Sequence, residues 1–280
     1  MNVSDYYKSK RMSVSKLKVL ANDPVEFRMR YVDDPPTLKF EPTESMVFGS
    51  ALHCAFLEPH KFDDEFSVAP KMDRRTKAGK EQHEEFVANL NGRTAIDEET
   101  YQEVIEAAQQ LRNHRRINQW MSLATPDGIE REYQFDLYGL DFQSKLDVVI
   151  PPLGLILDLK TVPDIRPHKM RFQFHDFGYH IQAAVYRIAN FVETGEFYRF
   201  IFIAIEKRTP STKGMPFKIA LYELDTDSIS RGELEAKSLV DDYLSRSQSG
   251  DWRIPYCTDD IVSLSVPSTP FGYRKETASE

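Results

Sequence analysis

The segment GLILDLKT, residues 154–161, puts two charges where a folding chain is least able to absorb them. Leu155, Ile156, Leu157 and Leu159 are bulky and apolar. Thr161 and Val162 continue the strand-forming character, and Pro151-Pro152 and Pro163 bound the run. This pattern predicts a central strand covered on both faces. Asp158 and Lys160 stand two residues apart, so their side chains leave the same face of that strand. A buried charge is costly unless something pairs with it. Two arrangements meet that demand: a plain Asp–Lys ion pair, or a metal-binding carboxylate beside a catalytic lysine.

The rest of the chain predicts what surrounds this strand. Ser13 and Asp23-Pro24 are N-terminal signals for two short helices in SVSKLKVLANDPVEF, and residues 43–59 read as a helix ending at Pro59. The basic stretch 71–80 reads as a loop leading into a helix. Asp97 opens a stronger helix on which Tyr101, Val104, Ile105, Ala108 and Leu111 form the apolar stripe. After Pro126-Asp127-Gly128 the period shortens, and EREYQFDLYGLDFQSKLDVVI predicts a hairpin turning at Tyr138-Gly139. Beyond the 154–161 strand come a helix with Ile181, Val185, Ile188 and Val192 on its stripe, two further strands, a long helix over 226–247 and an irregular tail. Helices, three strands, helix, two strands, helix is an α/β (α+β) order, with a central mixed sheet flanked by helices and no Rossmann repeat.

If the hairpin turns at Tyr138-Gly139, Glu132 lies opposite Lys145, Glu130 falls opposite Asp147, and Asp147 shares a face with Lys145. Ten residues separate Asp147 from Asp158, enough to end one strand and return beside it. Glu132, Asp147, Asp158 and Lys160 then converge on one side of a sheet. Three carboxylates to one lysine is a poor balance for a structural ion pair, and it suits a hard divalent ion such as Mg2+. Held by Asp147 and Asp158, the ion would activate water and neutralise a phosphate oxygen. Lys160 would position the water, help deprotonate it, or stabilise the transition state.

The formal charge of −8, from 36 basic and 44 acidic residues, argues against non-specific attraction to DNA or anionic membranes. Basic residues nevertheless cluster at 71–80 and at 112–116. The two cysteines give no disulfide framework and too few thiolates for a zinc or iron–sulfur site, so a reducing cytoplasm is the expected setting. No apolar run approaches the ~18 residues of a membrane span, and the first ten residues do not resemble a signal peptide.

Asp147, ten intervening residues, and Asp158-Leu-Lys160-Thr161 resemble the core of the PD-(D/E)XK nucleases, with Leu146 in place of the first proline. GSALHCAFLEP resembles the helix that supplies a histidine in the RecB-type branch, which would make His53 a metal ligand beside Asp147 and Asp158. YHIQAAVY resembles that branch's Q-x-x-x-Y motif, giving Gln182 and Tyr186, which share one helix stripe. Within the branch, nearly the whole chain resembles the RecE-like exonucleases, the exonuclease VIII type of phages and prophages. SVSKLKVLANDPVEF, DRRTKAGKE, AIEKRTP and the Trp252 region add to the likeness.

The resemblance implies a single nuclease domain over 1–280. Its 1–125 part would be mainly helical, 126–225 would carry the catalytic sheet and the Q-x-x-x-Y helix, and 226–280 would form a terminal helix and tail. It implies 5′→3′ degradation of linear duplex DNA to mononucleotides, leaving 3′ single strands. Mg2+ would be the cofactor, with Mn2+ able to substitute. A homo-oligomeric ring, tetrameric rather than trimeric, and a RecT-like annealing partner are implied too. Arg74, Arg75 and Lys77 are candidates for phosphate contacts at the DNA end. No G-x-x-x-x-G-K-[ST] loop occurs, so hydrolysis would not need ATP. A structure-specific endonuclease and a non-catalytic DNA-end-binding module are the competing expectations. Iron–sulfur relatives of the fold, held by four cysteines, are excluded by the presence of only two.

Overall fold

A computed structural model describes residues 9–257 other than 40 and 74, together with 261 and 263. Val14–Asn22 (α1) starts where the Ser13 hydroxyl accepts from the Lys16 N–H, and Pro24–Tyr31 (α2) where Asp23 accepts from the Val25 and Glu26 N–H groups. Glu44–Leu57 (α3) is capped by Thr43. A single turn, Phe62–Glu65 (α4), then leads into Phe66–Ala69 (β1). Lys77–Ala88 (α5) follows the basic stretch, and Thr94–Asp97 (β2) pairs in parallel with β1. This two-stranded sheet is not predicted from the sequence, because four-residue strands are too short to show a period. Glu98–Asn113 (α6) starts at Asp97 as expected, and Arg115–Met121 (α7) follows.

Ile129–Leu137 (β3) and Leu140–Ile150 (β4) form the predicted hairpin. Its turn residues Tyr138 and Gly139 both have left-handed backbones, φ 55° and 84°, which matches the right-handed twist of the paired strands. Leu155–Val162 (β5) is the expected central strand. Then come Pro167–Asp176 (α8), which the sequence reading misses, and Tyr179–Thr194 (α9), followed by Arg199–Glu206 (β6), Ile219–Glu223 (β7) and Thr226–Ser249 (α10). The five-stranded sheet runs β3-β4-β5-β6-β7. Within it β5 and β6 are the parallel pair, and α8 and α9 lie in their crossover.

The sheet is apolar on both faces, and strand periodicity divides them. Leu155, Leu157 and Leu159, with Ile201, Ile203 and Ile205, face a core shared with α3, α6 and α7. Ile156 and Val162, with Phe200 and Phe202, face α1, α2, α8, α9 and α10. Asp158 and Lys160 have the parity of Ile156 and Val162, so they point to the side on which α9 lies. Two expected stripe residues are exposed instead. Val192 is 57% exposed near the end of α9, and Ile105 is 41% exposed on α6, where a buried arc one residue narrower suffices.

The β4–β5 ladder positions the site. It pairs Ile150, Val149 and Val148 with Leu155, Ile156 and Leu157, and there it stops. Continued for one step, it would set Asp147 opposite Asp158. The strands part instead, and a cleft opens between them.

Candidate active site

The cleft, of about 470 Å³, is lined by residues from α1 (Ser15, Lys18), α3 (Met46, Gly49, Ser50, His53, Cys54) and the turn after it (Glu58), α4 (Glu65), the hairpin (Glu130, Lys145, Asp147), β5 (Leu159, Lys160, Thr161) and α9 (Tyr179, Gln182, Tyr186). Helix α3 crosses β5 at Gly49, where a Cβ would stand 3.2 Å from Thr161 Oγ1. The bare glycine lets the helix approach, and His53, one turn on, reaches the strand.

With the ladder ended, side chains complete the hydrogen bonding of Leu159. Its N–H donates to Asp147 Oδ2 at 2.7 Å, and its carbonyl accepts from His53 Nε2 at 2.8 Å. That bond assigns the proton to Nε2. The other ring nitrogen, Nδ1, lies 3.4 Å from Asp147 Oδ2 and can present a lone pair. Glu130 joins these two: ligand atoms of His53, Glu130 and Asp147 all lie within 4.8 Å of one another. Glu130 has a left-handed backbone, φ 50°, and the residues on either side of it pair with Val148 and Leu146 while it does not pair with Asp147. This interruption aims its carboxylate into the cleft, at a strained φ that a non-glycine residue keeps only when its surroundings impose it. Lys145 Nζ meets Glu130 Oε2 at 2.5 Å.

Asp158 is 1% exposed. Gln182 Nε2 donates to its Oδ1 at 2.8 Å, and Lys160 Nζ lies 2.5 Å from its Oδ2 without an aligned hydrogen bond. Burial works to lower the Lys160 pKa, but the charges of Asp158 and Asp147 outweigh it and hold the ammonium above its usual value. Asp147 goes the other way. Burial pushes its carboxyl up to about 7, with His53 opposing the shift and Asp158 adding to it. Lys18, from α1, reaches the same place: its Nζ is 3.5 Å from Gln182 Oε1 and 5.2 Å from the centroid of the Tyr179 ring. Lys160 Nζ is 5.3 Å from that same centroid. Burial, then the neighbouring Lys160 charge, pushes Lys18 down to about 7, against the pull of Asp158.

Residues 13–257 match the family model described as a PDDEXK-like domain of unknown function (DUF3799). The chain belongs to that family. As a PDDEXK-like domain it has the expected mixed sheet with flanking helices, and its Asp-x-Lys strand is β5. Among solved structures it is similar to a protein from Eubacterium rectale that carries a provisional description as an exonuclease. The two are 17% identical, with 95% of this chain and 96% of that one covered and a TM-score of 0.63. A phage-related exonuclease from Haemophilus somnus is 17% identical over 69% of this chain and 95% of its own, at a TM-score of 0.31. An alkaline exonuclease from Laribacter hongkongensis is 16% identical over 72% and 98%, at 0.26. At such identities the first likeness concerns the fold. No curated protein matches the chain.

Of the residues singled out in the sequence of this PDDEXK-like domain, the structure brings His53, Asp147, Lys160, Gln182 and Tyr186 into the cleft wall, with Asp158 buried behind Lys160 and Gln182. Glu132 pairs with Lys145 across the hairpin, as the turn predicts, but does not line the cleft; Glu130 does. Arg75 and Lys77 are exposed and outside the cleft, Arg75 bound to Asp73 at 3.0 Å and Lys77 3.8 Å from Glu81. Arg74 lies outside the described residues. Lys18 and Tyr179 escape the sequence reading. Lys18 shows only as a lysine beside the apolar stripe of α1, a pattern common on any surface helix.

The donor set fits a divalent cation. One imidazole lone pair and two carboxylates converge, and a positive ion there would offset the burial that pushes the Asp147 carboxyl up. Asp158 adds a buried oxygen, Oδ2, that lacks an aligned donor. Among the described residues no helix is long and apolar enough to cross a membrane.

Proposed function

We propose that the chain is a metal-dependent 5′→3′ exonuclease that degrades linear duplex DNA to mononucleotides and leaves 3′ single-stranded tails. The observation that carries this reading is the pairing of Asp158 and Lys160 on β5 at the point where β4 and β5 part, with His53, Glu130 and Asp147 across the gap. His53, Asp147 and Glu130, with Asp158 turning from Lys160, would hold Mg2+, and Mn2+ would substitute. The ion would supply an activated water and charge neutralisation at the phosphate.

The chain's own residues divide the remaining work. Lys160, whose ammonium the charges of Asp158 and Asp147 favour in the metal-free site, would donate to the attacking water or to the phosphate. Gln182 fixes the plane of Asp158 by donating to Oδ1. Tyr186 lines the same wall one turn beyond Gln182. The provisional exonuclease description of the Eubacterium rectale protein, which shares the fold, favours an end-dependent enzyme. DNA ends would be the substrate, a homo-oligomeric ring would keep the duplex between cuts, and a RecT-like protein would coat the exposed strand.

The test follows label release from linear duplex with Mg2+, comparing 5′- with 3′-labelled ends. Early mononucleotide release from the 5′ label is expected, absent with chelator and reduced about 10²–10³-fold by Lys160→Ala, the usual effect of removing one charge-stabilising donor. Cleavage of closed circles would replace this reading with an endonuclease. Binding without cleavage across several divalent metals would replace it with an end-binding module.

A further inference from the structure

Two lysines face the cleft beside one tyrosine ring, and they differ in their counter-charges. Lys160 is bound to Asp158. Lys18 forms no ion pair among the described residues; it donates to the Gln182 amide oxygen at 3.5 Å. Its stem is nonetheless fixed: Gly178, with φ 58°, leaves the space in which Lys18 Cε lies, 3.3 Å from where a Cβ would stand. A fixed amine lining a cleft, its ammonium form disfavoured by burial and by Lys160 and unmatched by a carboxylate, would be charged and bound by an anion brought from outside. Gln182 ties it to the metal side. The amide donates through Nε2 to Asp158 and accepts through Oε1 from Lys18, so both partners dictate the same orientation of the amide.

We propose that Lys18 receives a non-bridging phosphate oxygen of the DNA strand being cut, and that Gln182 couples this phosphate contact to Asp158. The inference rests on the nuclease reading above and adds a residue that touches substrate. Lys160 answers the carboxylates, and Lys18 answers the nucleic acid. One aromatic ring spaces the two ammonium groups, so an incoming phosphate meets a cation that Asp158 has not already taken.

The test uses the full chain with Lys18→Met, which keeps the stem against Gly178 and removes the charge, and Lys18→Arg, which keeps the charge. Three readouts are compared: kcat/KM on 5′-labelled linear duplex with Mg2+, equilibrium binding of the 5′-phosphorylated thymidine dinucleotide with Ca2+, and Mn2+ affinity of the protein alone. Lys18→Met should lower kcat/KM by about 30–100-fold and weaken the dinucleotide by about tenfold, as loss of a charge-assisted phosphate bond does. Mn2+ affinity should stay within about twofold, and Lys18→Arg should recover part of both losses. Cutting and dinucleotide binding by Lys18→Met within about threefold of the parent would overturn the proposal. A parallel loss of Mn2+ affinity would also overturn it, because Lys18 would then act by holding Gln182 and Asp158 in place. If the parent chain cuts no DNA, the nuclease reading fails by itself. Dinucleotide binding that depends on Lys18 would still uphold the phosphate contact, and no binding by the parent would end it.

Discussion

Asp147 accepts the Leu159 N–H, faces His53 and shares the cleft with Asp158, and its carboxyl is pushed up to about 7, chiefly by burial. The sign of the linkage follows. Between the ordinary aspartate value of about 3.9 and the folded value near 7, the folded state holds this proton more tightly than the unfolded state does. Without metal, this group's contribution to stability is therefore fully present below pH 4 and is lost as pH rises to 7. Asp147→Asn keeps an acceptor for Leu159 and removes the titration. In thermal melts with chelator, the variant should match the parent near pH 4 and exceed it by pH 8, and Mn2+ should raise the parent alone. Parallel curves across that window would refute the assignment. At this scale the sequence spoke for Asp158 and Lys160, because two charges on one face of an apolar strand have few other uses. It put Glu132 at the site, with Glu130 on the same hairpin face. Glu130 is the one that lines the cleft, at a left-handed φ that no spacing rule encodes.

At the scale of elements, polar caps and turn residues were legible because their chemistry is local. Ser13, Asp23 and Asp97 each bond the N–H groups that a helix start leaves unpaired, and Tyr138-Gly139 supplies the turn. Helix α8 and the β1–β2 pair were not legible. The first has only two buried residues, Met170 and Phe174, and the second depends on a partner about thirty residues away. The packing of α10 on α9 was hidden for the same reason. At Gly232, a Cβ would come within 2.2 Å of the His180 carbonyl oxygen. Gly232→Ala gains about 1 kcal/mol in helix propensity but forces two backbones apart, which costs about 1–3 kcal/mol or more. The steric cost should win. The variant is expected to unfold at lower urea than the parent, and the displaced α9 should carry Gln182 off Asp158 and lower activity. Unchanged or raised stability would show that the two helices have slack.

At the scale of the whole molecule, a chain of net charge −8 must meet DNA through local positive charge. Lys18 offers it inside the cleft, where Lys145 and Lys160 are paired with Glu130 and Asp158, and Arg75 and Lys77 offer it outside, each beside a single acid that a phosphate can displace. Replacing Arg75 and Lys77 together by alanine should weaken duplex binding and flatten the slope of log K against log salt by about 2, while leaving kcat on saturating linear duplex near the parent value. An unchanged slope would remove that loop from the DNA path. The parting of β4 and β5 carries a different consequence, one of inheritance. The hydrogen bonds that the ladder gives up at Leu159 are restored by His53 and Asp147, so these two residues belong to the architecture as much as to the chemistry. A descendant that abandoned hydrolysis would still need a donor at 53 and an acceptor at 147, and selection for folding alone would preserve them. Persistence of that pair in a relative would say little about what the relative does. Asp158 with Lys160, which complete no backbone hydrogen bond of the parted ladder, would be the truer sign of a living enzyme.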